Sequence, residues 1–116
     1  MNLNNKTILV SGANRGIGRA TVEALLAEDV DKIYATARNT DDLPDFGDNR
    51  VVALQLDVTD SESISNAARV ANDIDVLINN AGVLHIGSLL DQPREDIGAD
   101  FSINFYGTLN VIREFL

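Results

Sequence analysis

Residues 10–18 read Val-Ser-Gly-Ala-Asn-Arg-Gly-Ile-Gly, between a short apolar run that ends at Val10 and an amphipathic stretch that follows Gly18. Three glycines between a strand and a helix have separate purposes: a tight turn, a close approach of the backbone to a pyrophosphate, and close packing of helix on strand. The main-chain N–H groups and the partial positive charge of a helix N-terminus bind phosphate oxygens. The stretch therefore favours a dinucleotide site, with a plain strand-to-helix turn as the alternative.

Short apolar runs alternate with longer amphipathic stretches along the chain, which is typical of a parallel sheet with crossover helices. We predict four strands, at Thr7 to Val10, Lys32 to Ala37, Val51 to Leu56 and Asp75 to Ile78. Their apolar residues are consecutive, so both faces of the sheet should be covered. The fold class predicted from this pattern is α/β.

Three helices are predicted around these strands. The first covers Gly18 to Ala27, and the second covers Asp60 to Ala71, where Thr59 and Glu62 have the spacing of a capping box. The third runs from about Pro93 to the end of the chain. Its apolar positions predict a buried stripe made of Ile97, Phe101, Phe105, Leu109, Ile112 and Leu116.

The stretch from Asn39 to Asn49 is acidic and contains Pro44 and Gly47. It is predicted to be a connection with at most one short helical turn. With 116 residues, the whole chain is predicted to form a single domain.

Composition argues against several classes of protein. The chain is 45% hydrophobic and 23% charged, which is typical of a globular domain rather than a disordered one. Its net charge of −9 disfavours binding to nucleic acid or to an anionic membrane surface. The absence of cysteine excludes a disulfide framework and a thiolate site. No secretory signal or membrane span is visible, so a cytoplasmic protein is the simplest prediction.

The residues after the second predicted strand indicate which dinucleotide the site would take. In dinucleotide-binding folds a carboxylate near that point bonds the adenosine ribose, whereas an Arg accommodates a 2′-phosphate. Here Arg38 follows the strand, and Arg15 lies inside the glycine loop. Two guanidinium groups suit a phosphate dianion because each can bind it through bidentate, charge-assisted hydrogen bonds. The sequence favours NADP(H) over NAD(H), with two ordinary solvated arginines as the alternative.

Polar residues follow the third and fourth strands as well. Asp57 stands at the carboxyl end of the third strand, where open α/β sheets bind ligands, although it suits a loop or a cap equally well. After the fourth strand, the run Asn79-Asn80-Ala81-Gly82 offers amides that can tie strand ends together and small residues that leave room for a ribose. An Asn-rich turn is the alternative for that run.

The spacing Gly-x-x-x-Gly-x-Gly in residues 12–18 resembles the first loop of the short-chain dehydrogenase/reductase family, with Ser11 in place of the family's Thr. The run 79–82 is the family's Asn-Asn-Ala-Gly. This resemblance implies a three-layer, doubly wound Rossmann-type fold with strand order 3-2-1-4. Arginines at positions 15 and 38 both mark NADP-preferring members. The residues thereby assigned to the cofactor are Gly12, Asn14, Arg15, Gly16, Ile17, Gly18, Arg38, Asp57, Val58, Asn80, Ala81 and Gly82.

The resemblance also implies a reaction, the NADP(H)-dependent interconversion of a carbonyl compound and an alcohol. Asn104 matches the family's Asn that bends the last helix and holds a water in the proton relay, so it is the catalytic residue assigned here. Family members continue to a catalytic Ser and a Tyr-x-x-x-Lys, which this chain lacks, and neither Tyr34 nor Tyr106 has a lysine at that spacing. We therefore expect little or no turnover from these 116 residues.

Two interpretations remain open. The chain is either the cofactor half of a reductase or a short module that binds a nucleotide or a partner without catalysis; the helical pattern at its end, which lacks a stop signal, favours the first. In both cases we expect self-association through the last helix or an exposed sheet edge.

His85 and Ser88 carry no hydrolase motif and are assigned to the loop that edges the family's substrate pocket. No metal-ligand spacing is present in the sequence.

Overall fold

The computed structural model describes residues 2–83 and 90–115. His85, Ser88 and Leu116, all named above, lie outside the described residues. In chain order the elements are β1 (Thr7–Val10), α1 (Gly16–Leu25), β2 (Lys32–Ala37), a 3-10 turn (Thr40–Asp42), β3 (Val51–Gln55), α2 (Ser61–Val70), β4 (Val76–Ile78), α3 (Arg94–Asp100), a π-helical segment (Phe101–Gly107) and α4 (Thr108–Phe115).

The four strands form one parallel sheet in the order β3-β2-β1-β4, which confirms the predicted topology. In register, Ile8 of β1 lies between Ile33 of β2 and Val76 of β4. From β1 the chain adds β2 and β3 on one side, and it then returns to place β4 on the other side of β1. This reversal of strand order opens a crevice at the carboxyl ends of the central strands, where ligands bind in such sheets.

Each face of the sheet has its own apolar core. On one face, Ile8 and Val10 of β1 pack with Val22 of α1 and Ile33 of β2. On the other face, Leu9 packs in a cluster with residues of α2 and α4, including Ile64, Ala67 and Val111. Alternate side chains of β1 therefore enter opposite cores, and the predicted three layers are confirmed.

Two helices begin at other residues than predicted, and only the second is capped by a side chain. α1 begins at Gly16, two residues earlier than expected. The cap of α2 is Asp60, whose carboxylate accepts hydrogen bonds from the N–H groups of Glu62 and Ser63. The predicted capping box at Thr59 is wrong because that hydroxyl donates instead to the Asp57 carboxylate, at 2.6 Å.

The predicted buried stripe of the last helix is wrong at two aromatic positions, whereas Ile97, Leu109 and Ile112 are half-buried. Phe101 is 61% exposed and Phe105 is 58% exposed. The helical positions that face the core are Gly107 and Val111, both buried, with Ile103 and Phe115 packed partly against the same cluster. A π turn holds more residues than an α turn, so the spacing used for the prediction does not keep its residues on one face.

The connection 39–49 contains one short turn, in agreement with the prediction of at most one, and Arg50 holds its carboxyl-terminal end in place. The Arg50 guanidinium donates to the carbonyls of Leu26 and Glu28 just after α1, and to the Asp48 carboxylate at 2.8 Å. The hydrogen bonds from the Arg50 guanidinium and N–H to this carboxylate lower the pKa of the Asp48 carboxyl from its ordinary 3.8 to about 2. The pairing joins the connection to the end of α1.

We expect this pair to make stability depend on acid. Because the pKa of Asp48 is lower in the folded chain than in the unfolded one, its ionised form stabilises the fold above about pH 4, and this contribution is lost as the pH falls towards about 2. Urea unfolding of the wild type and of Asp48→Asn should therefore differ most near neutral pH and converge in acid. A difference that stays constant over that range would contradict the assignment.

Within residues 2–83 and 90–115, no helix combines the length and the apolar character that crossing a bilayer requires.

Candidate functional site

A cleft of about 470 Å³ lies at the carboxyl ends of the strands. It is formed by the loop after β1, the residues that follow β2, β3 and β4, and one side chain of the π-helical segment. The structure brings together here the sequence-assigned residues Gly12, Asn14, Arg15, Gly16, Ile17, Arg38, Asp57, Val58, Asn80, Ala81 and Gly82. Gly18 is the one cofactor-assigned residue that does not line the cleft.

Two glycines are required by the geometry of the loop. Gly12 has a φ of +65°, and a Cβ there would lie 3.0 Å from the Ala81 Cα. Gly18 packs behind the loop: a Cβ there would overlap the Gly12 carbonyl oxygen and lie 2.5 Å from the Asn80 Nδ2. The backbone of the loop therefore passes close to the end of β4 only because both side chains are absent.

The start of α1 offers unpaired donors to the cleft. Its first intrahelical bond runs from the Arg19 N–H to the Arg15 carbonyl, at 3.3 Å. The N–H groups of Gly16 and Ile17 precede this bond and have no partner within the helix. No side chain caps them, and no acidic residue stands in the first turn. This arrangement suits an anion such as a pyrophosphate.

Hydrogen bonds join the loop to the end of β4. The buried Ser11 hydroxyl accepts from the N–H groups of Asn80 and Ala81, each at 2.9 Å. The Asn80 side-chain amide donates to the Gly12 carbonyl at 3.1 Å. The expectation that an asparagine amide ties neighbouring strand ends together is confirmed. The sequence did not predict that the Ser11 hydroxyl also connects the loop to the end of β4.

Arg15 and Arg38 both line the cleft, and both are exposed. In the part of the chain that the structure describes, neither guanidinium has a carboxylate partner. Asp42, from the 3-10 turn, also lines the cleft. Both arginines follow neighbouring strands, β1 and β2, and two cations without carboxylate partners in one cleft attract a dianionic group.

The end of β3 forms another wall. One carboxylate oxygen of Asp57 accepts from the Thr59 N–H at 2.9 Å and from the Thr59 hydroxyl. Val58 is buried, and its side chain touches Gly107 so closely that a Cβ there would lie 2.7 Å from the Val58 Cγ2. This contact brings the π-helical segment against the cleft wall.

Asn104 lies in the π-helical segment and does not line the cleft itself. Its side-chain oxygen accepts from the Val83 N–H at 2.8 Å, and its amide donates to the Val83 carbonyl at 2.6 Å. The oxygen also lies close to Gly82, where a Cβ would be 3.0 Å from it. Asn104 thus fixes the chain that leaves β4, and Val83 lines the cleft.

Several cleft residues carried no signal in the sequence. Ala37, Leu56 and Val83 are ordinary apolar residues, and only the convergence of strand ends brings them to the site. The remaining unforeseen lining residues are Asp42, Thr59 and Ile103. Among the described residues, no group of three His, Asp or Glu side chains could hold a metal ion.

Comparison with known proteins identifies the family. A model of the short chain dehydrogenase family matches residues 6–116. L-2,3-butanediol dehydrogenase of Corynebacterium glutamicum is 34% identical over 125 residues, which cover 95% of this chain and 48% of that protein. Fluoren-9-ol dehydrogenase of a Terrabacter species is 32% identical over 128 residues, which cover 96% of this chain and 36% of that protein. The chain spans about half, or less, of the length of the curated relatives it matches.

Similar solved structures belong to the same kind of protein. A short chain dehydrogenase from Burkholderia cenocepacia in complex with NADP has a TM-score of 0.94 and 38% identity, with 99% of this chain and 48% of that chain covered. The NADPH-bound carbonyl reductase from chicken fatty liver has a TM-score of 0.86 and 28% identity, with 97% of this chain and 48% of that chain covered. On the strength of the family match, the strand order and the glycine loop, this chain belongs to the short-chain dehydrogenase/reductase family of oxidoreductases.

Proposed function

We propose that this chain binds NADP(H) and forms the cofactor-binding half of an oxidoreductase that interconverts a carbonyl compound and an alcohol. The observation that carries the proposal is that Arg15 and Arg38, which follow the neighbouring strands β1 and β2, both line the cleft as exposed residues and have no carboxylate partner among the described residues.

The residues present fit a dinucleotide. Gly16 and Ile17, in the first turn of α1, line the cleft, and a side chain at Gly12 would meet Ala81. A pyrophosphate at this point would accept hydrogen bonds from the Gly16 and Ile17 N–H groups. The loop backbone thus supplies donors whose positions are already fixed by folding.

The two arginines support NADP(H) rather than NAD(H). A 2′-phosphate carries more negative charge than a hydroxyl and offers oxygens to both guanidinium groups. Two of the similar solved structures hold NADP or NADPH, which is consistent with this choice. Asp57 and Val58 would border the adenine, and Ala81 and Gly82 would leave room for a ribose.

When bound, the nicotinamide supplies the hydride that is exchanged with a carbonyl carbon. The residues of this chain hold and orient the dinucleotide, and Asn104 fixes the backbone after β4 through its two bonds to Val83. We propose that Asn104 also holds a water of the proton relay. Reduction of a carbonyl requires a proton donor as well.

Neither tyrosine of the chain suits that proton transfer. Tyr34 is buried in β2 and donates to the Asp73 carboxylate at 2.8 Å. The pKa of the Tyr34 hydroxyl is raised mainly by burial and, to a smaller extent, by that hydrogen bond. Tyr106 is exposed on the π-helical segment. Neither lines the cleft. We therefore propose that the 116 residues alone bind cofactor with little or no turnover.

The proposal is tested by titrating the chain with NADPH and with NADH at one fixed salt concentration, with the nucleotide fluorescence as the signal. We expect NADPH to bind at least about tenfold more tightly, because charge-assisted bonds to the added phosphate are worth about 1.5–3 kcal/mol. Raising the salt should weaken NADPH binding more than NADH binding. Equal affinities, or tighter NADH binding, would contradict the proposal.

We also propose that the chain acts in the cytoplasm and self-associates through the last helix or the outer edge of β4. Phe101, Phe105 and Tyr106 are all more than half exposed, and the latter two rings meet edge to face at 5.2 Å. Exposed aromatic side chains on one helix are typical of an interface. Sedimentation velocity should show a dimer or a larger species that Phe105→Glu converts to monomer; a wild type that sediments as a monomer would contradict the proposal.

A further inference from the structure

A chain of hydrogen bonds connects two walls of the cleft through residues that do not line it. The side-chain amide of Gln55, the last residue of β3, donates from its Nε2 to the Arg38 carbonyl at 3.2 Å. The Gln55 Oε1 accepts from the Ser63 hydroxyl at 2.7 Å, and the Ser63 oxygen accepts from the Asp57 N–H at 2.9 Å. The series therefore runs from the backbone of Arg38 to the backbone of Asp57.

The chemistry of these groups permits only one assignment of donors and acceptors along this series of hydrogen bonds. A carbonyl can only accept, so the nitrogen end of the Gln55 amide must face Arg38. The Asp57 N–H can only donate, so the Ser63 hydroxyl accepts there and turns its own proton to the oxygen end of Gln55. Every member has a fixed role, and a residue that lacks either a donor or an acceptor at position 55 breaks the series.

The position of the series matters because the regular sheet ends just before it. The last backbone bond between β2 and the chain after β3 runs from the Leu56 N–H to the Ala37 carbonyl, at 2.9 Å. Arg38 comes next, and its exposed guanidinium has no partner among the described side chains. The bond from Gln55 thus extends the attachment of β2 by one residue, to the residue that carries the cation.

We propose that Gln55, supported by Ser63, is a positioning residue that holds Arg38 at a fixed distance from Asp57 and thereby sets the preference for a phosphorylated adenosine ribose. The inference rests on the proposed function, because it assigns Arg38 to the 2′-phosphate. Gln55 would not touch the nucleotide, since it does not line the cleft. It would act through the backbone of Arg38.

The test uses Gln55→Met, which preserves the length of the side chain and removes both hydrogen-bonding ends. Gln55 is exposed, but its Oε1 accepts from the buried Ser63 hydroxyl, so the variant should unfold only a few degrees below the wild type. We expect the dissociation constant for NADPH to rise about fivefold, the effect of one ordinary hydrogen bond, with that for NADH nearly unchanged. Val52→Met places the same side chain at another exposed position of β3 and should change neither constant.

A second comparison separates positioning from general stability. In an Arg38→Ala background, Gln55→Met should have no further effect on NADPH, because the cation that it positions is gone. Ser63→Ala breaks the series from its other end and should reproduce the loss of preference. An unchanged ratio of NADPH to NADH affinity in Gln55→Met, or an equal effect with and without Arg38, would overturn the inference.

The two proposals fail in different ways. A wild type without NADPH preference overturns the proposed function and the inference together. A wild type that prefers NADPH, loses the preference in Arg38→Ala and retains it in Gln55→Met overturns the inference alone.

Discussion

Arg38→Asp should abolish the preference for NADPH and leave a chain that binds NADH as well or better. The substitution removes a guanidinium that lines the cleft just after β2 and places a carboxylate where a ribose hydroxyl could donate to it. We expect NADPH affinity to fall about a hundredfold, since a favourable charge-assisted contact of about 1.5–3 kcal/mol is replaced by repulsion. Fluorescence titration with both nucleotides measures the change.

A matched control separates a local effect from one of net charge. Arg94→Asp changes the charge of the chain by the same amount, at an exposed position at the start of α3 that does not line the cleft. A carboxylate there is compatible with a helix N-terminus, so folding should be preserved. If Arg94→Asp weakened NADPH binding as much as Arg38→Asp, then Arg38 would act only through the overall field of the protein.

Gly18→Ala should have the other large effect, on both stability and binding. Its methyl group would overlap the Gly12 carbonyl oxygen and lie 2.5 Å from the Asn80 Nδ2, so the hydrogen bond between those two groups would be disrupted. We expect a loss of about 3 kcal/mol in the free energy of unfolding, from overpacking together with a lost hydrogen bond. Urea unfolding measures this loss, and affinity for NADPH and NADH should fall together because the loop backbone moves.

Gly98→Ala is the control for adding one methyl group to a helix. Gly98 lies within α3 and has no neighbouring atom within 4 Å of the added Cβ. Alanine is the better helix former, so this variant should be more stable by about 1 kcal/mol and should bind nucleotide as the wild type does. A Gly18→Ala chain as stable as the wild type would contradict the close packing of loop and strand.

The sheet and its glycine loop could be predicted because the signals are local. Consecutive apolar residues such as Ile8 to Val10 identify a strand covered on both faces, and the loop glycines stand at fixed offsets from its end. Once the strands are parallel, their carboxyl ends must meet at one edge of the sheet. The residues after β2, β3 and β4 are therefore gathered into one cleft whatever the details of the helices.

The last helix could not be predicted at the same level because its buried face depends on distant contacts. Gly107 faces the core since only a residue without a side chain fits against Val58. In a sequence, a glycine does not count as apolar, so the visible stripe was the one through Phe101 and Phe105, which is exposed. Asn104, whose side chain bonds the backbone of the distant Val83, lies in the π-helical segment that shifts the buried face.

The cap of α2 and the series through Gln55 escaped prediction for a related reason. Thr59, Asp60 and Ser63 are all polar residues that could cap a helix, and the choice among them depends on their partners in space. The Thr59 hydroxyl donates to the Asp57 carboxylate. The Ser63 hydroxyl is occupied by its bonds to the Asp57 N–H and the Gln55 side chain. No spacing rule within the sequence distinguishes these roles.

Calorimetric titration of the wild-type chain with 2′,5′-ADP and with 5′-AMP measures most directly whether Arg15 and Arg38 bind a phosphate on the adenosine ribose. The two ligands differ only in that phosphate, and neither contains nicotinamide, so the result is independent of any catalytic group. We expect 2′,5′-ADP to bind at least about tenfold more tightly. Equal affinities, or no heat of binding with either ligand, would contradict the assignment of this cleft to NADP(H).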